Sequence, residues 1–176
     1  MRWLVDGYNV IRRSPELAGE ERLSLEAGRT ALCRLLADAA QVSGDRFTVV
    51  FDGSGGGGSG SGGAGVRVIF SSARERADQV LARLALQGGA VVSNDREVRR
   101  AATRAGAIAI STDEFLSRLA SARRGGPDPD GVPVKDEEDE PSRGPKKGNP
   151  HRLSKKERAA ARALNRLRGG GRPSES

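Results

Sequence analysis

Short apolar segments alternate with longer amphipathic ones over the first two thirds of the chain. The short segments are rich in β-branched and aromatic residues, which is typical of buried strands. The first of them stops at the polar residues 6–9, which we interpret as a turn. We predict strands over residues 2–5, 46–51, 66–70, 90–93 and 107–110.

The amphipathic segments between these strands carry apolar residues at the spacing of a helix. In residues 24–40, Leu32 and Leu36 recur on one face, and Ser24 is a candidate N-cap. Strands that alternate with helices need crossover connections, so the pattern predicts an α/β fold. We expect three layers, with helices on both faces of a central, mostly parallel sheet. Further helices are predicted after Ser14 and over residues 74–87, 95–104 and 112–123.

A glycine-rich segment separates the second predicted strand from the third. Residues 53–65 consist of Gly, Ser and one Ala, which is typical of a flexible coil, and we expect this loop to be mobile. A glycine-rich loop after a strand also occurs in dinucleotide-binding sites, but those sites need a helix next to receive the pyrophosphate. A strand follows here, so no dinucleotide cofactor is predicted.

The composition changes after residue 122. We predict a domain over residues 1–122, a disordered linker rich in Pro, Gly and acidic residues over 123–150, and a basic helical tail over 151–176. Ser154 and Glu157 match a capping box at the start of the tail helix. A helix of this length is marginal alone and should form fully only when it is docked on a partner. Its thin apolar seam consists of Leu153, Ala160, Leu164 and Leu167.

The chain has a net charge of +7, most of it near the C-terminal end. Residues 1–122 hold 16 arginines against 14 acidic residues, whereas residues 151–176 hold eight basic residues against two acidic ones. A basic extension on a nearly neutral domain is typical of proteins that bind nucleic acid. A tail that only keeps the protein soluble is the alternative interpretation. The candidate RNA-binding residues of the tail are Lys155, Lys156, Arg158, Arg162 and Arg166.

The sequence also argues against several classes of protein. Its longest apolar segments span about five residues, far fewer than the ~20 that a membrane span needs, so we expect no membrane partner. A carboxylate at position 6 comes too early for a secretion signal. The single cysteine, Cys33, cannot form an internal disulfide. We therefore expect a cytoplasmic protein, and the sequence does not determine its oligomeric state.

Carboxylates follow the predicted strands at their carboxyl ends. Asp6, Asp52 and Asp95 come after the first, second and fourth strands, and Asp78 lies in the first turn of the helix after the third. The carboxyl ends of parallel strands share one edge of a sheet, which is also where α/β proteins bind ligands. We therefore expect these four side chains to converge, together with Asn9.

Converging carboxylates repel one another and are tolerated mainly when they bind a cation. Hard oxygen ligands favour Mg²⁺ or Mn²⁺. A metal ion at such a site polarises a phosphoryl oxygen and neutralises the charge that builds up in the transition state, so the pattern favours phosphodiester hydrolysis. Each aspartate alone is equally explained as an ordinary turn or helix cap, Asp52 above all.

Arginines and one tyrosine near this edge are candidates for holding a nucleic-acid substrate. A guanidinium can form two hydrogen bonds to a phosphate, and a tyrosine ring can stack on an unpaired base. Pairing with nearby carboxylates, and ordinary packing for the tyrosine, are the alternatives. No competing nucleophile is predicted, because His151 lies in the tail and Cys33 is in mid-helix without a histidine to activate it. The candidates are Tyr8, Arg67, Arg74, Arg76 and Arg96.

Ordered motifs within residues 1–122 resemble the YacP-like NYN-domain family. They are W-L-V-D-G-Y-N-V, V-V-F-D-G, V-I-F-S followed by A-D-Q, and V-V-S-N-D-R. The resemblance implies a PIN-like nuclease fold and a metal-dependent endoribonuclease. It also implies a possible site of action, because one branch of the family cuts messenger RNA at the decoding site of the ribosome. Matched position by position, the family's catalytic set corresponds to Asp6, Asn9, Asp78 and Asp95.

Three features depart from the family pattern. Arg76 stands where the family resemblance implies a threonine before A-D, so we expect different hydrogen bonding around a metal. The glycine run replaces the family's loop after the second strand, so substrate contacts from that loop are not expected here. We also expect the basic tail to lie outside the family core.

Two functions remain open from the sequence. The first is an endoribonuclease that cuts single-stranded RNA with Mg²⁺ or Mn²⁺ held by Asp6, Asp52, Asp78 and Asp95. The second is an RNA- or ribosome-binding adaptor that has the nuclease fold but little or no catalysis. A metal-dependent phosphatase is not predicted, since D-G-Y-N lacks the second aspartate of a D-x-D pair and residues 1–122 contain no lysine.

Overall fold

The computed structural model describes residues 1–53, 58–124 and 153–167. These residues form six strands and seven helices. None of the helices in the described ranges is both long and apolar enough to cross a membrane. The strands are β1 (Arg2–Asp6), β2 (Arg46–Phe51), β3 (Gly58–Gly63), β4 (Val66–Phe70), β5 (Ala90–Val92) and β6 (Ile108–Ile110). The helices are α1 (Gly7–Arg13), α2 (Pro15–Leu23), α3 (Leu25–Ser43), α4 (Ala77–Ala85), α5 (Arg96–Arg104), α6 (Thr112–Arg124) and α7 (Lys155–Arg166).

All six strands belong to one sheet, in the order β3-β4-β2-β1-β5-β6. Five strands run parallel, and β3 pairs antiparallel with β4 at one edge. The register aligns Asp6 with Val50 and Val5 with Val92, so β1, β2 and β5 end close together. The predicted α/β class with a mostly parallel sheet is confirmed.

Alternate residues of the strands pack into two separate apolar cores. Trp3 and Val5 belong to the core under α1, α3, α6 and α7, whereas Leu4 belongs to the core under α4 and α5. Successive side chains of a strand point to opposite faces of the sheet, so the two cores lie on opposite faces. The three-layer arrangement predicted from the sequence follows from this alternation.

The prediction of a turn over residues 6–9 is wrong, because these residues form the start of helix α1. The Asp6 side chain caps this helix by accepting a hydrogen bond from the Asn9 backbone N–H at 3.3 Å. Gly7 is required at the first position because a Cβ there would lie 2.3 Å from the Phe51 ring. The lack of a side chain at Gly7 thus lets α1 begin directly against β2.

The prediction of a flexible coil over residues 53–65 is wrong for Gly58–Gly63, which form strand β3. This strand pairs with β4, for example Ser59 with Ile69. Its glycines allow close packing, because a Cβ on Gly62 would lie 2.9 Å from Cys33 Sγ of α3. Residues 54–57 lie outside the described part of the chain. Glycine weakens a strand in isolation, so β3 is stabilised by its pairing with β4 and its packing on α3.

The basic helix α7 packs on the domain rather than standing apart from it. Ala163, Leu164 and Leu167 are buried in the same core as Trp3, and α7 contacts β6 and α6. Arg118 of α6 also donates a hydrogen bond to the Asn165 side chain. The partner on which this helix docks is therefore the domain itself, through Leu164 and Leu167 of the predicted seam, whereas Leu153 of that seam is 39% exposed. The linker residues 125–150 lie outside the described residues.

The predicted helix starts are confirmed by their caps. Ser24 Oγ accepts a hydrogen bond from the Ala27 N–H at 2.9 Å, and Pro15 occupies the first turn of α2. Ser154 and Glu157 form the predicted capping box at the start of α7. These short-range signals hold in the structure because each depends only on residues within one helical turn.

Candidate active site at the carboxyl edge of the sheet

A groove of about 710 Å³ lies at the carboxyl edge of the sheet. The four aspartates predicted from the sequence line it: Asp6, Asp52, Asp78 and Asp95. They reach it from the end of β1, the end of β2, the first turn of α4 and the start of α5. The topology thus brings together side chains that lie up to 89 residues apart in the sequence.

Asp6 is held rigidly at the base of the groove. Its Oδ1 accepts from the Asn9 N–H, and its Oδ2 accepts from the Ser93 hydroxyl at 2.9 Å. Burial raises the pKa of the Asp6 carboxyl above its ordinary value, and the nearby Asp95 charge raises it further, while the two hydrogen bonds act in the opposite direction. A partly buried carboxylate of this kind is well placed to hold a cation.

Asp95 is fixed by backbone N–H groups of α5 and by a buried serine, and Asp52 is fixed by another buried serine. Asp95 Oδ1 caps α5 by accepting from the Glu97 and Val98 N–H groups, and the Asp95 N–H donates to Ser93 Oγ at 3.1 Å. Ser93 therefore links Asp95 to Asp6. Asp52 Oδ1 accepts from the Ser71 hydroxyl at 2.6 Å. The interpretation of Asp95 as a helix cap is correct, and the cap also places it at the groove.

The Asp78 side chain lies at the rim of the groove, with 52% of its surface accessible. Its nearest cation is the Arg76 guanidinium, 3.9 Å away. Arg76 occupies the N-cap of α4, the position at which the family resemblance implies a threonine. The substitution therefore puts a positive charge beside Asp78 at the rim of the groove.

The four carboxylates share the groove but do not form a compact ligand set. Within the ranges that the structure describes, no three carboxylate, imidazole or thiolate side chains lie close enough together to hold one metal ion. The arrangement is looser than the convergence expected from the sequence. Mg²⁺ is commonly bound through one or two carboxylates together with water and substrate phosphates. The donor chemistry fits a hard divalent cation bound in that way, with Asp6 and Asp95 linked through Ser93.

Asn9 also lines the groove, but its side-chain oxygen is already engaged. Asn9 Oδ1 accepts from the Asn94 N–H at 3.0 Å and from the Thr112 hydroxyl at 2.8 Å. Asn94 in turn donates from its side chain to Asp113, which is paired with Arg13. These bonds join α1 to the loop after β5 and to α6, so Asn9 positions the wall of the groove.

The predicted RNA-binding residues fall into different places. Tyr8 and Arg76 line the groove with the aspartates. Arg67 is exposed on β4 opposite Ser61 of β3, and Arg74 is exposed in the turn before α4, so neither lines the groove. Arg96 lies on a second, basic groove described below. The tail residues Lys155, Lys156, Arg158, Arg162 and Arg166 are all exposed on α7.

Three further arginines, which the sequence does not indicate, lie at or near the groove. Arg12 and Arg13 of α1 line the groove directly. Arg29 of α3 donates to the Tyr8 hydroxyl at 2.9 Å, and its guanidinium lies 5.1 to 5.6 Å from the centroids of three aromatic rings, Tyr8, Phe51 and Phe70. Within the described residues Arg29 has no carboxylate partner. The sequence around Arg29 gives no signal of this role, because the rings that surround it come from three other elements, α1, β2 and β4.

A three-layer α/β sheet with four aspartates in one groove at its carboxyl edge defines a protein with a nuclease-type fold. A family model for the YacP-like NYN domain matches residues 3–166, and the chain belongs to this family. The match extends beyond residue 122 and includes α7, so the expectation that the tail lies outside the family core is wrong.

Relatives from Bacillus subtilis agree with this membership. The protein described as uncharacterised protein YacP, from strain 168, is 36% identical over 84 residues, which cover 47% of this chain and 49% of the relative. This chain therefore spans about half the length of the curated relative in that match. A crystal structure of a mutant of Rae1 (YacP) has a TM-score of 0.62 and 29% identity, covering 70% of this chain and 77% of that one. A second Rae1 (YacP) structure has a TM-score of 0.55 and 26% identity, covering 71% and 76%.

Proposed function

We propose that this protein is a metal-dependent endoribonuclease that hydrolyses phosphodiester bonds in single-stranded RNA. The observation that carries the proposal is that one groove at the carboxyl edge of the sheet is lined by all four aspartates, Asp6, Asp52, Asp78 and Asp95. Ligand sites of parallel α/β sheets lie at this edge, and carboxylates are the protein ligands of Mg²⁺ and Mn²⁺. The nuclease-type fold of the family supports the same assignment.

The residues of this chain would divide the work between binding and positioning. Asp6 and Asp95, both fixed by Ser93, would hold the cation together with Asp78 and Asp52 from the same groove. A bound Mg²⁺ or Mn²⁺ would supply charge neutralisation at the scissile phosphate and activation of water. Arg12 and Arg76 at the rim would bind the phosphate oxygens that flank it. Asn9 would act as a positioning residue through its bonds to Asn94 and Thr112.

The family resemblance extends the proposal to a particular substrate. We propose messenger RNA, cut on the ribosome, as the physiological target, which would place the protein in the cytoplasm. The basic residues on the exposed face of α7 support an interaction with an RNA-rich surface.

A second function is favoured by one observation. Because no three potential metal ligands lie close together in the described ranges, the protein is also a candidate RNA- or ribosome-binding adaptor with little or no catalysis. The two functions differ in a single measurable property, which is whether RNA is cleaved when it is bound.

The test is a cleavage assay on labelled, unstructured RNA, run with Mg²⁺, with Mn²⁺ and with a chelator, each with and without ribosomes. We expect cleavage only with a metal ion, and loss of cleavage in Asp6→Asn and Asp78→Asn. Asp38→Asn removes an exposed carboxylate of α3 away from the groove and serves as the matched control. Full activity in Asp6→Asn would refute the assigned site, and binding without cleavage under every condition would establish the adaptor.

A further inference from the structure

A second groove, of about 600 Å³, lies beside β6 between α5 and α7. Four arginines of α5 line it together with Lys156 of α7, and Ala109 of the edge strand β6 also lines it. None of its lining residues is acidic. The four arginines are Arg96, Arg99, Arg100 and Arg104.

The positive charge of this groove is only slightly compensated. Glu97, the only acidic residue of α5, pairs with Arg100 at 2.8 Å. In the described part of the chain, Arg96, Arg99, Arg104 and Lys156 have no carboxylate at ion-pair distance. These cations are therefore available to an external anion.

The spacing of the arginines along α5 has an energetic cost. Arg96, Arg100 and Arg104 follow one another at intervals of four residues, and like charges at this interval destabilise a helix by about 0.2–0.5 kcal/mol per pair. Such a row gains free energy when a polyanion neutralises it, because the repulsion between the guanidiniums is then removed.

The row also begins at the candidate active site. Asp95, which lines the first groove, is the N-cap of α5, and Arg96 follows it directly. From Arg96 to Arg104 the row extends about 12 Å along the helix axis at ~1.5 Å per residue. The docking of α7 through Leu164 and Leu167 adds Lys156 on the other side of the groove.

We propose that this groove, which we call the α5–α7 groove, binds the phosphate backbone of RNA outside the carboxylate groove. The proposal rests on the proposed function in that the ligand is RNA, but it concerns binding and not cleavage. Guanidinium groups in a row match successive phosphates, and contacts of this kind hold the strand without reading its sequence. A strand on the arginines of α5 would pass directly to the carboxylates at the start of that helix.

The test measures binding separately from cleavage. Fluorescence anisotropy with a labelled, unstructured 20-nucleotide RNA in chelator gives the dissociation constant of the full chain at several salt concentrations. The groove variant carries Arg99→Gln, Arg104→Gln and Lys156→Gln. If it loses three phosphate contacts, the slope of log K against log salt should fall by roughly 2, at about 0.7 per contact on a single strand, and affinity at low salt should fall at least about tenfold.

The matched control carries Arg22→Gln, Arg34→Gln and Arg46→Gln, three exposed arginines away from both grooves. It has the same net charge as the groove variant. Because its three arginines lie away from both grooves, we expect its affinity to stay within about twofold of the wild-type value, after correction for the loss that the lower net charge alone causes. The exposed single variants Arg104→Gln and Lys156→Gln should each lower the slope by roughly 0.7, and they provide the answer if the triple variant folds poorly.

Equal losses in the groove and control variants would overturn the proposal, because net charge alone would then explain binding. A groove variant with wild-type affinity and slope would also overturn it, and an acidic protein surface would become the candidate partner. A failure of the proposed nuclease function would give another result: the wild-type protein would bind this RNA but would not cut it when Mg²⁺ is added.

Discussion

The Asn9 side-chain oxygen accepts a 2.8 Å hydrogen bond from the Thr112 hydroxyl, although 103 residues separate the two in the chain. Asn94 completes a small network, because its backbone N–H donates to the same oxygen and its side-chain oxygen accepts from the Thr112 N–H at 2.9 Å. Thr112 is fully buried. The wall of the candidate active site is thus built by three segments that are far apart in sequence.

The first prediction concerns this network. Thr112→Val removes the hydroxyl with little change in shape and keeps the backbone bond to Asn94. We expect the free energy of unfolding to fall by about 1 kcal/mol, because the part-buried Asn9 oxygen loses one of its two donors. Urea unfolding measures the change. Thr30→Val, at an exposed threonine of α3, is the control and should leave stability unchanged within about 0.5 kcal/mol. A Thr112 variant as stable as the wild type would contradict the assigned role.

The second prediction compares two carboxylates of the groove. Asp6→Asn should leave the fold as stable as before or slightly more stable, because the amide avoids the cost of burying a charge. The new side chain can still accept from the Asn9 N–H, and its amide can donate to Ser93. Asp78→Asn should change stability little, since the Asp78 side chain is half exposed.

Thermal melting with and without Mg²⁺ checks this comparison. We expect Mg²⁺ to raise the melting temperature of the wild-type protein more than that of Asp6→Asn, because a ligand that binds only the folded state stabilises it. Marked destabilisation of Asp6→Asn without metal would show instead that the Asp6 carboxylate mainly supports the fold.

The third prediction uses two glycines of β3. A Cβ at Gly62 would lie 2.8 Å from Val66 Cγ1 and 2.9 Å from Cys33 Sγ, whereas a Cβ at Gly60 would meet no atom within 4 Å. We therefore expect Gly62→Ala to destabilise the protein by about 1–3 kcal/mol through overpacking. Gly60→Ala should be neutral or stabilising by up to about 1 kcal/mol, because alanine restricts the unfolded chain. Equal effects in urea unfolding would mean that β3 does not pack on α3 as described.

The fourth prediction concerns the docked helix α7. Leu164→Ala opens a cavity under α7, and we expect it to cost about 2 kcal/mol or more of unfolding free energy. Leu153, which is 39% exposed just before the helix, provides the control, and Leu153→Ala should have a much smaller effect. A chain that ends at Arg124 lacks the whole helix and should also be less stable. If the truncated chain melted like the full one, α7 would not contribute to the domain core.

The helix caps and the buried strands are the parts of the fold that local sequence predicts best. Ser24, Pro15 and the Ser154–Glu157 box mark helix starts that the structure reproduces, because each signal acts within one turn. The alternation of Trp3, Leu4 and Val5 between two cores follows from the geometry of any strand covered on both faces. Sequence patterns of this local kind determined the α/β class and the placement of the aspartates after their strands.

Other features were decided by contacts between distant segments. The glycines of β3 have a low strand propensity, and their pairing with β4 and packing on α3 overcome it. The aromatic rings around Arg29 come from α1, β2 and β4. No single segment of the sequence therefore indicates that the Arg29 guanidinium lies over them.

The sequence by itself determined most of the strands and helices, apart from α1 and β3, and the edge of the sheet at which the aspartates lie, because periodicity, caps and strand ends are properties of neighbouring residues. Only the tertiary structure decided that Asn9 is bound by Asn94 and Thr112, that the four carboxylates are spread along one groove, and that α7 completes the core. The physical reason is that burial and hydrogen-bond partners depend on side chains brought together from distant parts of the chain, and their free energy appears only when the layers pack.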